Sequence, residues 1–229
     1  MTVQYSSDPG KLLGTLALGA FLAIAASTTG QAAVNLPNAK IDAPLAAKKS
    51  EQIAIFSGGC FWGVEAVFEH VKGVNNAWSG YAGGSAVTAN YQIVSSGLTE
   101  HAESVKVSFD PSKVTYGQLL KVFFSVAHDP TQLNRQGPDT GPQYRSAIFY
   151  TNPEQQRIAS AYIAQMTAAK AFPNKIVTQI NPLKNFYMAE GYHQDFARLN
   201  PRHPYIVHHD LPKVENLKQQ FPQWYLANK

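Results

Sequence analysis

Cysteine is almost absent from this chain, since Cys60 is the single thiol in 229 residues. One cysteine excludes a disulfide within the chain. No cluster of histidine and cysteine has the spacing of zinc ligands, and the adjacent His208 and His209 cannot easily share one ion. We therefore expect no metal site.

Charged side chains are also scarce, at 15% of residues, and the net charge of +4 is spread thinly. No run of five basic residues occurs, so we expect no nucleic-acid partner. Hydrophobic residues make up 45% of the chain, which is enough for one core. The length is too short for two comfortable domains, and we expect a monomer with a single domain.

The N-terminal 33 residues differ from the rest of the chain. Lys11 precedes an uncharged apolar run over residues 12–26, followed by small and polar residues at 27–33. This order predicts a signal peptide over residues 1–33, and hence a periplasmic or other extracytoplasmic location. An uncleaved membrane anchor or a buried helix is also compatible with the run, although it is short for a membrane span. Residues 34–50 are interpreted as a linker or arm, and residues 51–229 as one domain with a C-terminal tail.

Cys60 lies between a strand and a helix in the predicted structure. The apolar run over residues 53–56 predicts a buried strand, and Val64, Val67, Phe68 and Val71 recur with helical spacing, with Glu65 and Glu69 on the opposite face. Free backbone N–H groups and the positive end of the helix dipole favour a thiolate at this position, which would make Cys60 a nucleophile. The alternative is that Cys60 is a small buried apolar residue.

The neighbours of Cys60 favour a functional site. Gly58 and Gly59 allow another molecule to approach the backbone closely. Phe61 and Trp62 are adjacent at the helix start and cannot both point into the same core. One of these rings is therefore expected to line a pocket beside the sulfur.

A candidate acid lies on a later strand. Glu103 alternates in phase with Val105, Val107 and Phe109, so strict period two places its carboxyl on the apolar face. Desolvation there should raise the pKa of Glu103 and keep it protonated near neutral pH, ready to donate a proton. The alternative is a strand that begins at Ser104, with Glu103 in the preceding loop.

The order of predicted elements indicates an α+β fold with helices packed on a mixed or antiparallel sheet, and a ferredoxin-like (split β-α-β) core. Thr115 and Gln118 form a capping-box pattern for one helix, and Pro153 starts another that runs to about Ala171. Further strands are predicted over residues 74–81, 144–150 and 175–180. Residues 186–196 are predicted to form a short helix.

Ordered motifs along the chain resemble those of the A-type peptide methionine sulfoxide reductases. The motif at Cys60 is Gly58-Gly59-Cys60-Phe61-Trp62-Gly63. The others are Gly80-Tyr81-Ala82-Gly83-Gly84, Asn90-Tyr91, His101-Ala102-Glu103, Phe109-Asp110-Pro111, His128-Asp129-Pro130-Thr131-Gln132, Arg135-Gln136-Gly137-Pro138-Asp139, Gln143-Tyr144-Arg145-Ser146 and Ala189-Glu190-Gly191-Tyr192-His193-Gln194. The similarity covers most of residues 52–204.

The resemblance implies reduction of methionine S-sulfoxide, free or in proteins, and hence repair of oxidised proteins. The residues it implies are the nucleophile Cys60, the acid Glu103, the hydroxyls of Tyr91 and Tyr144 around the sulfoxide oxygen, Asp139 in the same pocket, and Phe61 and Trp62 around the substrate methyl group. A thiolate that attacks the sulfur leaves Cys60 as a sulfenic acid, which a thiol must reduce.

The chain departs from many family members in having no further cysteine to resolve that sulfenic acid. We therefore expect no bound cofactor and direct reduction by an external thiol: a thioredoxin-like protein, glutaredoxin with glutathione, or a small dithiol. Two other classes of protein are compatible with a lone cysteine. One is a thiol hydrolase with His193 or His128 as base, although a histidine among aromatic residues is more often structural. The other is a non-catalytic module that binds oxidised methionine.

Overall fold

The computed structural model describes residues 1, 2, 4 and 34–227, so the signal-peptide prediction lies outside the described residues. The strands are β1 Gln52–Ser57, β2 Val74–Ala82, β3 Ala102–Phe109, β4 Arg135–Gln136, β5 Asp139–Thr140, β6 Ala147–Tyr150, β7 Gln179–Pro182 and β8 Phe186–Met188. The α-helices are α1 Phe61–Glu69, α2 Tyr91–Val94, α3 Tyr116–Val122, α4 Pro153–Ala168, α5 Phe196–Leu199 and α6 Leu211–Gln220. Short π-helical turns follow α3 at Phe123–Ala127 and precede α6 at Ile206–Asp210.

Six of these strands form one mixed sheet in the order β7-β6-β1-β3-β2-β8. Neighbouring strands pair antiparallel except β6 and β7, which are parallel. The predicted α+β class and mixed sheet are therefore confirmed. Strand β3 lies between β1 and β2, which helix α1 connects. The finer description as a ferredoxin-like core stays a prediction.

Both faces of the central strands are covered. On one face Ala54, Phe56, Val105 and Val107 belong to the main core, which the helices cover. On the other face Ile55 packs in a second buried cluster with Phe149. Ser104, which alternation places opposite the core, is therefore buried as well, and its hydroxyl bonds to that of Ser57 at 2.7 Å.

Helix α1 is also covered on more than one side. Its apolar side chains lie in the core as predicted, but Glu65 and Glu69 on the opposite face are buried too. Glu65 accepts hydrogen bonds from the backbone N–H and the hydroxyl of Ser79 on β2. Helical periodicity predicts the apolar face of α1 correctly. It does not predict that β2, which follows later in the chain, contacts the polar face through Ser79.

Two helix starts form as predicted. Thr115 and Gln118 make a complete capping box, and Pro153 occupies the first turn of α4 behind the cap Asn152. Helix α4 ends at Ala168, slightly before the predicted end.

Three predictions for the later elements are wrong. Residues 186–196 contain strand β8 and a 3₁₀ turn at Gly191–His193 instead of a helix, because Phe186–Met188 pairs with the exposed edge of β2. The strand predicted at 175–180 is displaced to Gln179–Pro182, where an edge position tolerates Pro182. Tyr144 lies in a 3₁₀ turn before β6 and outside the strand.

The segment over residues 34–50 lies against the domain. Leu36 is buried, and the Tyr162 hydroxyl donates to the Pro37 carbonyl at 2.8 Å. Asp42 accepts from the Gly117 N–H at 2.9 Å and from the Thr115 hydroxyl at the start of α3. In the part of the chain that the structure describes, no helix has the length and apolarity needed to cross a membrane.

Candidate active site

Cys60 is the cap residue between β1 and α1, and its exposure is only 8%. The two positions before Cys60 both require glycine. Gly59 has a φ of +93°, and an added Cβ there would lie 2.5 Å from Gln136. A Cβ at Gly58 would lie 2.9 Å from His128. Gln136 and His128 thus occupy the space beside the two glycines, where the sequence predicts the close approach of another molecule.

The charge state of Cys60 follows from competing effects. Burial raises the pKa of the thiol well above its ordinary value, and the carboxyls of Glu103 and Asp210 add to that shift. A hydrogen bond from the Trp62 backbone N–H and the charge of Lys213 lower the pKa. The helix start favours the thiolate as predicted, but desolvation outweighs it, so the resting residue is a thiol.

Glu103 lies on the apolar face of β3, and the alternative that placed it in a loop is wrong because the strand begins at Ala102. Its Oε2 accepts a hydrogen bond from the Phe61 N–H at 3.0 Å, so the carboxyl meets the first residue of α1, directly after Cys60. Burial raises the pKa of Glu103 to about 8. Glu103 therefore carries a proton near neutral pH and can donate it.

Two phenols lie near this pair. Burial raises the pKa of both Tyr91 and Tyr144, and the charges of Glu103 and Cys60 raise them further, so these four groups are close enough to interact. Tyr91 is the first residue of α2, where its N–H donates to the Glu190 carboxylate at 2.8 Å. Both hydroxyls remain protonated and can act as hydrogen-bond donors.

The rings of Phe61 and Trp62 lie in different surroundings. Phe61 is buried, with its centroid 5.0 Å from that of His193. Trp62 is partly exposed, stacks on Phe196 at 3.8 Å and donates its indole N–H to His193 Nδ1 at 3.1 Å. Helix α1 thus presents one ring to the interior and the other to an aromatic cluster nearer the surface.

Cys60 opens onto a cavity of about 370 Å³. Asp139 and Tyr205 line this cavity together, and the Tyr205 hydroxyl donates to the Asp139 carboxylate. Lys213 also lines it. Glu103, Tyr91, Tyr144, Phe61 and Trp62 are not among its lining residues. The charge of Asp139 also raises the pKa values of Glu103, Tyr91 and Tyr144, so Asp139 lies near these three groups as well as on the cavity.

Sequence reasoning missed the C-terminal contribution to this cavity. The sequence patterns predict no role for Tyr205 or Asp210, and Lys213 is the first residue of the segment interpreted as a C-terminal tail with a helix near residues 214–220. The signal that could have found them is weak. Asp210 and Lys213 have the i, i+3 spacing of an ion pair at a helix start, next to apolar residues such as Ile206 and Leu217.

The histidines offer little to a hydrolase mechanism. His128 is fully buried, and its ring nitrogens bond to the Phe123 carbonyl and the Ser146 hydroxyl. Burial lowers the pKa of His128 to about 4, and it also lowers the pKa of His193, whose Nδ1 accepts the Trp62 N–H. Among the described residues, no group of three or more His, Cys, Asp or Glu side chains could hold a metal ion.

A buried thiol, a neutral carboxyl and two phenols lie close enough to interact, and the comparisons with known proteins define the chain as an oxidoreductase. The chain belongs to the peptide methionine sulfoxide reductase family, whose model matches residues 52–225. It therefore catalyses thiol-dependent reduction of methionine S-sulfoxide to methionine, the reaction that repairs oxidised proteins. The family resemblance found in the motifs is confirmed.

Named relatives agree with this assignment. The chain is 62% identical over 179 residues to peptide methionine sulfoxide reductase MsrA 2 of Mesorhizobium japonicum, covering 78% of this chain and 92% of that protein. It is 57% identical over 168 residues to MsrA 2 of Synechocystis sp., covering 73% and 78% respectively. Reduced Mxr1 of Saccharomyces cerevisiae is a structural neighbour with a TM-score of 0.61 and 33% identity, covering 74% of this chain and 96% of that one.

Proposed function

We propose that Cys60 is the nucleophile of this reductase and that Glu103 is its proton donor. The observation that carries the proposal is the hydrogen bond from the Phe61 N–H to the Glu103 carboxyl, which holds an acid with a pKa of about 8 beside the thiol. Tyr91 and Tyr144 supply further donors for the sulfoxide oxygen. Phe61 and Trp62 enclose the substrate methyl group, and Asp139 binds the substrate from the cavity side.

The net reaction transfers one oxygen atom between two sulfur atoms. Cys60 Sγ attacks the sulfoxide sulfur and forms an S–S bond, while the thiol proton and the Glu103 proton pass to the sulfoxide oxygen. The S–O bond breaks and the oxygen leaves as water. A water molecule then attacks Sγ and returns one proton to Glu103, the S–S bond breaks, methionine leaves, and Cys60 becomes a sulfenic acid. The substrate sulfur is reduced by two electrons, and the Cys60 sulfur is oxidised by two. Protonation is needed because a sulfoxide sulfur is a weak electrophile until its oxygen carries a proton.

An external thiol completes the cycle, because the sequence contains no second cysteine. One thiol attacks the sulfenic acid, releases water and forms a mixed disulfide with Cys60. A second thiol then attacks the donor sulfur of that mixed disulfide. The two donor sulfurs form a disulfide with each other, and Cys60 is released as a thiol. We propose a thioredoxin-like protein, glutaredoxin with glutathione, or a small dithiol as the donor. The cavity beside Cys60 supports reduction by an external thiol, since Cys60 lines it and the donor could reach the sulfur from there.

Three further properties are proposed from the sequence. The N-terminal pattern supports export by a signal peptide, with membrane anchoring if residues 1–33 are retained. N-terminal sequencing of the native protein, with fractionation of the cells, tests both. We also propose that the enzyme accepts free and protein-bound methionine sulfoxide, and that it acts as a monomer, which light scattering after gel filtration would test.

The proposed nucleophile is tested with Cys60→Ser, because the substitution removes the thiol and changes little else. Wild-type enzyme should reduce the S epimer of methionine sulfoxide with a dithiol, whereas the variant should show no turnover. Without reductant, one equivalent of methionine should form, and mass spectrometry with a sulfenic-acid trap should find the adduct on Cys60. Turnover by the serine variant, or a wild-type protein with no adduct, would refute the assignment.

A further inference from the structure

A buried ion pair lies close to the proposed nucleophile. Lys213 Nζ donates to Asp210 Oδ1 at 3.2 Å, and the side chains are 10% and 0% exposed. The second carboxylate oxygen, Oδ2 of Asp210, is buried and has no hydrogen-bond partner in the described part of the chain. Removing each charge from water costs on the order of several kcal/mol, which the attraction between the two charges does not always repay. The burial of this ion pair is therefore weak evidence that it serves only to stabilise the fold.

Gly63 allows this pair to reach the first turn of α1. A Cβ at Gly63 would lie 2.1 Å from Asp210 Oδ1 and 2.7 Å from Lys213 Nζ. Gly63 is three residues after Cys60, so it belongs to the helical turn that begins at the cysteine. Lys213 also lines the cavity onto which Cys60 opens. The ammonium group is thus placed on the cavity side of the sulfur.

We propose that Lys213 is a positioning residue that stabilises the anionic forms of the Cys60 sulfur, while Asp210 holds the ammonium group in place and opposes that stabilisation. The inference rests on the proposed role of Cys60. It applies to the thiolate that attacks the sulfoxide and to the sulfenate that awaits the reducing thiol. The electrostatic directions agree, since Lys213 lowers the pKa of Cys60 and Asp210 raises it.

Other titratable groups also surround the sulfur. The carboxyls are Glu103 on β3, Asp139 on β5 and Asp129 in the cavity wall. The histidines are His208 and His209, from the turn that ends at Asp210. The phenols are Tyr91, Tyr144 and Tyr205, which burial keeps protonated. Lys213 supplies the ammonium group in this set, and its effect on the pKa of Cys60 is opposite in sign to those of Glu103 and Asp210 and smaller than either.

The experiment uses Cys60 as its own probe, since no other thiol in the chain can react. The rate of alkylation by iodoacetamide is measured from pH 6 to pH 10, below the raised pKa of the thiol, where the rate is proportional to the thiolate fraction. The pH at which each variant of the full-length chain reaches one fixed reference rate is then compared. Lys213→Met should raise that pH by roughly one unit or more, as expected for loss of a nearby opposite charge. Asp210→Asn should lower it, because a like charge is removed.

Opposite shifts distinguish this role from a structural one, since both substitutions break the same ion pair. Shifts in the same direction, or no shift, would overturn the proposal. Lys218→Met is the matched control, because Lys218 lies on α6 with 56% of its side chain exposed. The control should titrate like the wild type, and a shift equal to that of Lys213→Met would also overturn the proposal.

A second comparison covers the case in which Lys213→Met does not fold, since it leaves Asp210 unpaired. The double variant Asp210→Asn/Lys213→Met has neither charge, and its profile is compared with that of Asp210→Asn alone. The double variant should titrate about one pH unit higher. An equal or lower value would refute the inference. Turnover by Cys60→Ser, measured separately, shows whether the nucleophile assignment itself has failed.

Discussion

Replacing Glu103 with Gln tests the acid directly. The amide has nearly the same shape, and its oxygen can still accept the hydrogen bond from the Phe61 N–H. It has no acidic proton to transfer. The structure therefore predicts loss of proton donation while the start of α1 stays in place.

The size of the effect follows from the protonation state. With a pKa of about 8, Glu103 is protonated in roughly nine molecules of ten at pH 7. A positioned general acid contributes about 10²–10⁴-fold to a rate, which is roughly 3–5 kcal/mol of barrier. Turnover by Glu103→Gln at pH 7 should fall by about this factor, while binding of the substrate changes much less.

The pH dependence separates proton donation from a loss of shape. Because burial raises the pKa of this carboxyl, the donor is present below pH 8 and is lost as the pH rises through about 8. The ratio of wild-type to variant kcat/KM should therefore be largest below pH 7.5 and decrease above pH 8.5. Glu103→Gln also removes a charge that raises the pKa of Cys60, so the ionisation of the thiol is measured separately in both proteins by alkylation and divided out.

The assay is steady-state reduction of the S epimer with a dithiol between pH 6 and pH 9. Single-turnover release of methionine without reductant isolates the chemical step. Glu103→Asp, which keeps a shorter acid, should recover part of the rate. A Glu103→Gln enzyme with rates within threefold of wild type, or a ratio independent of pH, would refute the reasoning.

Three further predictions concern other positions. Tyr144→Phe removes one proposed donor and should slow single-turnover methionine release about fivefold, since a lost hydrogen bond costs about 1 kcal/mol. Unchanged release would exclude the role. Glu65 retains its proton in the folded state up to a pKa of about 8 instead of 4.5, so wild-type stability should fall as pH rises between these values. Glu65→Gln should weaken that decline in urea unfolding at pH 5 and pH 8.5, and an unchanged decline would contradict the burial argument. Asp42→Ala should lower the free energy of unfolding by about 1–2 kcal/mol, because Asp42 loses its hydrogen bonds to Gly117 and Thr115. The variant should keep full activity. Equal melting temperatures for variant and wild type would show that these contacts of the 34–50 segment add no stability.

Local sequence patterns predicted the parts of the site that depend on neighbours along the chain. The apolar run before Cys60 and the helical spacing after it located the thiol at a strand-to-helix junction. Period two placed Glu103 on the buried face of β3, and the burial of that face explains its raised pKa. These predictions hold because strand and helix periodicities act over a few residues.

Long-range packing decided the remainder. Phe186–Met188 is a strand because β2 offers an unpaired edge, which no local pattern in residues 186–196 reveals. Cys60 rests as a thiol because surrounding segments desolvate it, although its place at a helix start favours the anion.

The sequence alone determined the family and the candidates for the nucleophile and the acid, since each follows from short motifs and local spacing. The tertiary structure alone decided which charges meet the sulfur. Lys213 and Asp210 lie about 150 residues after Cys60, and they reach it because Gly63 leaves room for helix α6 to approach α1. Electrostatic interactions depend on distance through space and on burial, and neither quantity is encoded by position in the chain.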